Sequence, residues 1–166
     1  MKHLTFLFLF LISGLSLQAQ TPEERISQLG IDLPEVKRPL ANFVKWRQVG
    51  NLLFLSGIGS DQKGRLGEDL NVEQGYEASR ATGIMILATL KAATGDLNRI
   101  KNFVKVRGMV NSAPDFYEQP QVINGFSDLM VEVFGEKGKH ARAAVGHVSL
   151  PFNIAVEIEV VVELEE

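Results

Sequence analysis

The chain of 166 residues has no cysteine, one tryptophan, two tyrosines and three histidines. The missing thiols exclude disulfides, cysteine nucleophiles and thiolate metal centres, without fixing a compartment. Histidine is equally sparse. His140 and His147 do not have the spacing of any recognisable metal motif, so no metal site is expected, and His147 reads most simply as a hydrogen-bonded or exposed side chain. An excess of positive charge is also lacking. Seventeen basic residues face twenty acidic ones, a formal charge of −3. With no patch of interleaved aromatic and basic residues evident, this balance argues against nucleic acid as a partner. The glycine-rich stretch GIGSDQKG has neither the dinucleotide fingerprint nor a Gly-Lys-Ser/Thr ending, and Ser56, in LSGIG, lies outside a G-x-S-x-G nucleophile elbow.

What is present begins with Lys2, the apolar run Leu4 to Ile12, and small residues up to Ala19. This is the pattern of a secretory signal peptide over residues 1–19, too short to span a bilayer. The expectation is an exported protein, placed in the periplasm, with no membrane attachment after removal of the signal. A polar segment over 20–38, holding a short helix from Pro22 to Leu29, leads into one domain over 39–166.

Two strands, Asn42 to Val49 and Leu52 to Ser56, flank a Gly50-Asn51 hairpin turn. GIGSDQKGRLGEDL reads as a loop, with a short strand near Leu66. Asn71 then caps a helix over Val72 to Ala93, with Gln74 completing a capping box and Gly95 beyond its end. Its apolar stripe reads as Ala81, Ile84, Ala88 and Ala92, widened by Leu87 and Leu90. In IKNFVKVRGMVN, Ile100, Asn102, Val104 and Val106 alternate with Lys101, Phe103, Lys105 and Arg107. A second helix opens near Pro114 or Pro120 and closes before Gly135. Strands over Ala143 to Leu150 and Ala155 to Leu164 finish the chain, the last with Val156, Ile158, Val160, Val162 and Leu164 on one face. This order predicts an α+β domain: a mixed sheet with two helices packed on one face, and an opposite face that invites association with other copies.

Arg142 is set among Ala141, Ala143, Ala144 and Gly146. A guanidinium stays charged at ordinary pH, so enclosing it calls for a partner. Its planar fork grips a carboxylate with two hydrogen bonds, and the small neighbours leave room for a compact acid. Glu157 is a base able to orient or deprotonate water. The structural alternative is an ion pair between the two, or with another subunit.

The stretches GNLLFLSG, GYEASRATGIMILATLKAATGDLNRI, VKVRGMVNSAPDF and HARAAVGHVSLPFNIAVEIE resemble the RidA/YjgF reactive-intermediate deaminases, once labelled L-PSP endoribonucleases. VNSAPDF, INGFSDLMVEVFG and HARAAVG look like that family's less characterised chorismate-mutase-like branch. The resemblance implies a chorismate-mutase-like fold, homotrimers with ligand clefts between subunits, no metal or organic cofactor, and hydrolysis of enamines or imines of small carboxylic acids to keto acids and ammonia. It makes Arg142 the anchor of the substrate carboxylate and Glu157 the residue that positions water, both catalytic, with Gly57 and Asn124 lining the cleft. Phe43 stands where the deaminases have a cleft tyrosine, and Ala144 where a cysteine, serine or threonine is usual. Those two losses, with export away from short-lived cytosolic enamines, keep open a second reading: a non-catalytic binding module for a small carboxylate metabolite. RNA cleavage, the old family label, sits poorly with the acidic balance.

Overall fold

The computed structural model describes residues 20–165; the signal peptide expected over 1–19 lies outside them. Helix α1 (Pro22–Gln28) is set by Thr21 and Glu24, which cap each other's backbone N–H groups, and by Pro22 in the first turn. Ile26 is buried, and Glu23 accepts hydrogen bonds from Lys91 and from the Leu97 backbone N–H.

Strands β1 (Trp46–Val49) and β2 (Leu52–Leu55) form the expected hairpin, with Gly50 at φ +59° at the first turn position, where a side chain would be strained. The first strand is shorter than expected because residues 42–45 are not laddered, although Ser56 still bonds the Val44 and Lys45 carbonyls. A two-residue strand, β3 (Ile58–Gly59), lies inside the stretch read as loop; Leu66 makes isolated bridges to Leu70 and Ser112 rather than a strand. Helix α2 (Val72–Thr94) has its Asn71–Gln74 capping box and ends at Gly95 with φ +75°. β4 (Ile100–Asn111), α3 (Gln119–Phe134), β5 (Ala141–His147) and β6 (Val156–Leu164) complete the chain.

The strand order is β1-β2-β6-β4-β5, with β3 pairing further along β6. Among the described strands, β4 and β5, joined by α3, run parallel, and the other named pairs are antiparallel. The mixed sheet and its helical layer are thus as expected. Along β6 the alternation is regular, burying Val156, Ile158, Val160, Val162 and Leu164. Fully burying an aliphatic side chain of this kind contributes about 1.5–3 kcal/mol.

Three details depart from expectation. β4 does not alternate as read: register shifts at Ile100/Asn102 and Phe103/Lys105 each insert one residue, so Phe103 is buried and Val104 is 40% exposed. β5 starts at Ala141 and stops at His147, which places Arg142 inside the strand rather than before it. On α2, Ala81 and Ala92 face solvent, while Gly75, Ala78, Ser79, Thr82, Gly83 and Ile86 are buried. The buried side is built for close approach to α3. A Cβ on Gly125 would collide with the Tyr76 carbonyl, one on Gly83 would sit 2.9 Å from Leu129, and Ser79 Oγ accepts a hydrogen bond from the Phe126 N–H.

Candidate functional site

Arg142 pairs with Val106 across the β4–β5 ladder, and Val106 is wholly buried beneath the helices. Paired residues share a face, so Arg142 points toward the helix layer, and its guanidinium meets α3. Its Nη1 donates to Asn124 Oδ1 at 2.9 Å and Ser127 Oγ at 3.0 Å; Nη2 donates to the Pro120 carbonyl at 3.5 Å. Asn124 and Ser127 are three residues apart and lie on one side of α3. Every acceptor is neutral. Among the described residues no carboxylate forms an ion pair with Arg142, so the half-buried cation is oriented but not neutralised.

The network runs one step deeper. His140 Nε2 lies 3.0 Å from Ser127 Oγ, and its Nδ1 lies 2.7 Å from the Gly138 carbonyl. Burial holds the His140 imidazole below its ordinary pKa; the Arg142 charge acts in the same direction, against the bond to Gly138. The neutral ring donates from Nδ1 to Gly138, leaving Nε2 to accept the Ser127 proton while Ser127 Oγ accepts from Arg142. This support escaped the sequence reading. Its one visible signal is the spacing of Pro120, Asn124 and Ser127 along a single helix.

Ala144 pairs with Gly108 on the same face and packs on the core. A Cβ at Gly108 would stand 2.6 Å from Ile123, so small residues at these positions keep β4 close under α3. The structure therefore brings together Arg142 and Asn124, with Ala144 one step along the strand.

Glu157 belongs to a second group. It pairs with Met109 and Gly59, three residues from Val160 on a strand without a break, and so projects from the face opposite Arg142. Its side chain lies over Gly57, where any Cβ would strike the carboxylate. Gly57 and Phe43 line a cavity of about 150 Å³ with Lys45 and Met85. Burial raises the Glu157 pKa above its usual range, and Glu159 adds to the effect; His147 and Arg107 pull the other way. A partly buried carboxylate poised in this way suits proton transfer.

The ion pair between Arg142 and Glu157, an alternative the sequence left open, does not form within one chain. The two residues stand on opposite sides of the sheet. What the fold presents is two half-sites: Arg142, Asn124 and Ala144 on the edge strand and α3, and Phe43, Gly57 and Glu157 near β3. Among the described residues, no cluster of three His, Asp or Glu side chains is arranged to hold a metal.

Comparison with known proteins agrees with this architecture. Residues 23–164 match the model of the family described as "YjgF/chorismate_mutase-like, putative endoribonuclease". The chain is 44% identical over 146 residues to Protein TCP17 of Trypanosoma cruzi, covering 84% of this chain and 91% of that one. The crystal structure of protein Atu1372 from Agrobacterium tumefaciens is similar with a TM-score of 0.80 and 43% identity, over 87% of this chain and 92% of that one. RidA from an Antarctic Psychrobacter is more distant, with a TM-score of 0.53 and 26% identity over 78% and 94% of the two chains. With its fold and nearly its whole described length in agreement, the chain belongs to the YjgF/chorismate mutase-like family, which includes the RidA proteins.

Proposed function

We propose that this protein hydrolyses imine or enamine forms of small carboxylic acids, with Arg142 holding the carboxylate and Glu157 activating water. The observation that carries the reading is the guanidinium of Arg142, aimed by three neutral acceptors and left without a counter-charge among the described residues. A carboxylate arriving there gains a charge-assisted pair of hydrogen bonds without first displacing an internal acid. Glu157 takes a proton from water as its oxygen bonds to the imine carbon, and the nitrogen gains a proton from solvent. The carbinolamine nitrogen then takes the proton held by Glu157, and its C–N bond breaks as the hydroxyl loses its proton to solvent and becomes the carbonyl, releasing ammonia and a keto acid.

Because the two half-sites lie on opposite faces of one sheet, they act on one ligand only where two protomers meet. A homotrimer with clefts between subunits meets that requirement, and Gly57 and Asn124 then line the cleft from its two sides. Export, expected from residues 1–19, makes the substrate a compound formed outside the cytoplasm.

Phe43 and Ala144 favour a second reading. Neither offers a polar atom where the deaminases have one, so the same cleft is suited to binding a stable carboxylate without turnover. Ammonia release from freshly generated imino acids separates the two. The first reading predicts release above the spontaneous rate, lost in Arg142→Ala. Release no faster than the spontaneous rate across several imino acids, with carboxylates still stabilising the wild type against heat, leaves only the binding module.

A further inference from the structure

Between Glu35 and Asp61 the chain has no acidic residue, yet Lys37, Arg38, Lys45 and Arg47 fall in the first half of that interval. In a chain of formal charge −3 this is a local reversal of sign, one that the overall balance conceals. The fold gathers three of the four around a single cavity of about 490 Å³, walled also by Phe43, Val44 and Trp46. Small-molecule sites have about this size, roughly 300–1,000 Å³. None of Lys37, Arg38 and Lys45 forms an ion pair with a described carboxylate.

Lys45 links this groove to the candidate site. It lines the cavity it shares with Phe43 and Gly57, and a third of about 320 Å³ where Glu35 and Asp61 are also present without pairing to it. Like charges around one concavity repel each other, by about 1 kcal/mol per pair at 4 Å even in water. An anion bound among them relieves that repulsion, and the aromatic walls cover a short carbon chain.

We propose that Lys45, supported by Lys37 and Arg38, is a specificity-determining residue that binds a second acidic group, so that the preferred ligand is a dicarboxylate. One carboxylate sits on Arg142, and the other reaches past Phe43 to Lys45. The inference rests on the reading above, that the Phe43–Gly57 half-site meets Arg142 of another protomer.

The test is calorimetric titration of the assembled wild type and Lys45→Gln with 2-oxoglutarate and with 2-oxopentanoate, which has the same chain length and one carboxylate. The wild type should bind the dicarboxylate about tenfold more tightly. Lys45→Gln should bring the two Kd values within about twofold of each other, chiefly by weakening 2-oxoglutarate. The wild-type preference should shrink as salt is raised. Equal affinities in the wild type, a preference intact in Lys45→Gln, or failure of both acids to bind would overturn it. A dicarboxylate preference that falls in Lys45→Gln in a protein that releases no ammonia sinks the catalytic reading alone; ammonia release without that preference sinks the subsite alone.

Discussion

At the scale of single residues, the fold leaves a few charges in unusual company. Arg142 has hydrogen bonds but no counter-ion among the described residues. Arg142→Ala should cost about 3 kcal/mol of transition-state stabilisation, roughly two orders of magnitude in kcat/KM, while Arg142→Lys, which keeps the charge and loses the fork, should recover only part. Glu157 must be ionised to accept a proton, and its pKa is raised. Activity should therefore climb with pH through a limb lying above the ordinary carboxylate range, then level off. Glu159→Gln removes the nearby like charge and should move that limb to lower pH; an unmoved limb would show that Glu157 is not the titrating group. His140 contributes to stability with the opposite protonation preference. Its folded pKa is depressed, so on acidification the unfolded chain takes up its proton first, at about pH 6.5, and stability falls with pH from there. Chemical denaturation at about pH 7.5 and about pH 5.5 should show a larger loss for wild type than for His140→Gln. The variant itself should cost about 1 kcal/mol at the higher pH through its broken hydrogen bonds.

At the scale of elements, local chemistry was readable and relative phase was not. The Gly50-Asn51 hairpin, the Asn71–Gln74 capping box and the alternation of β6 depend on neighbours in sequence, and all three are present. On α2 the expected Leu87, Ala88 and Leu90 are buried and Ile84 packs on the core, but Ala81 and Ala92 are exposed; the rest of the buried side carries glycine, serine and threonine, residues suited to close backbone approach that hydropathy does not single out. The bulges in β4 show no signal in IKNFVKVRGMVN; only the partner strand reveals that Lys101 and Val104 are extra. The site divides along the same line. Arg142 and Glu157 stand out by residue type, and their places beside Asn124 and Gly57 follow the family resemblance. Their facing in opposite directions depends on the registers of β4 with β5 and with β6, which no single segment contains. The close contact of α2 with α3 supplies its own test. Gly125→Ala forces a methyl group against the Tyr76 carbonyl, a backbone atom that moves only with its helix. The variant should lose at least about 2 kcal/mol of unfolding free energy by denaturant titration, whereas a loss within experimental error would mean the helices are packed more loosely than described.

On the face of the sheet away from the helices, exposed Phe54 and Val145 mix with Glu157, Glu159 and Arg107, and among the described residues β5 leaves one edge of the sheet unpaired. A surface of this kind suits contact with further copies, and a shared cleft gives that contact a chemical purpose. Subunit complementation tests the point most directly. Arg142→Ala and Glu157→Gln should each be inactive alone. Unfolded together in equal amounts and refolded into mixed assemblies, they should regain about a quarter of the wild-type rate of ammonia release, because in the proposed shared cleft intact sites form wherever a sound Arg142 meets a sound Glu157 from its neighbour. Mixed assemblies that stay as inactive as their parents would contradict a cleft built from two protomers.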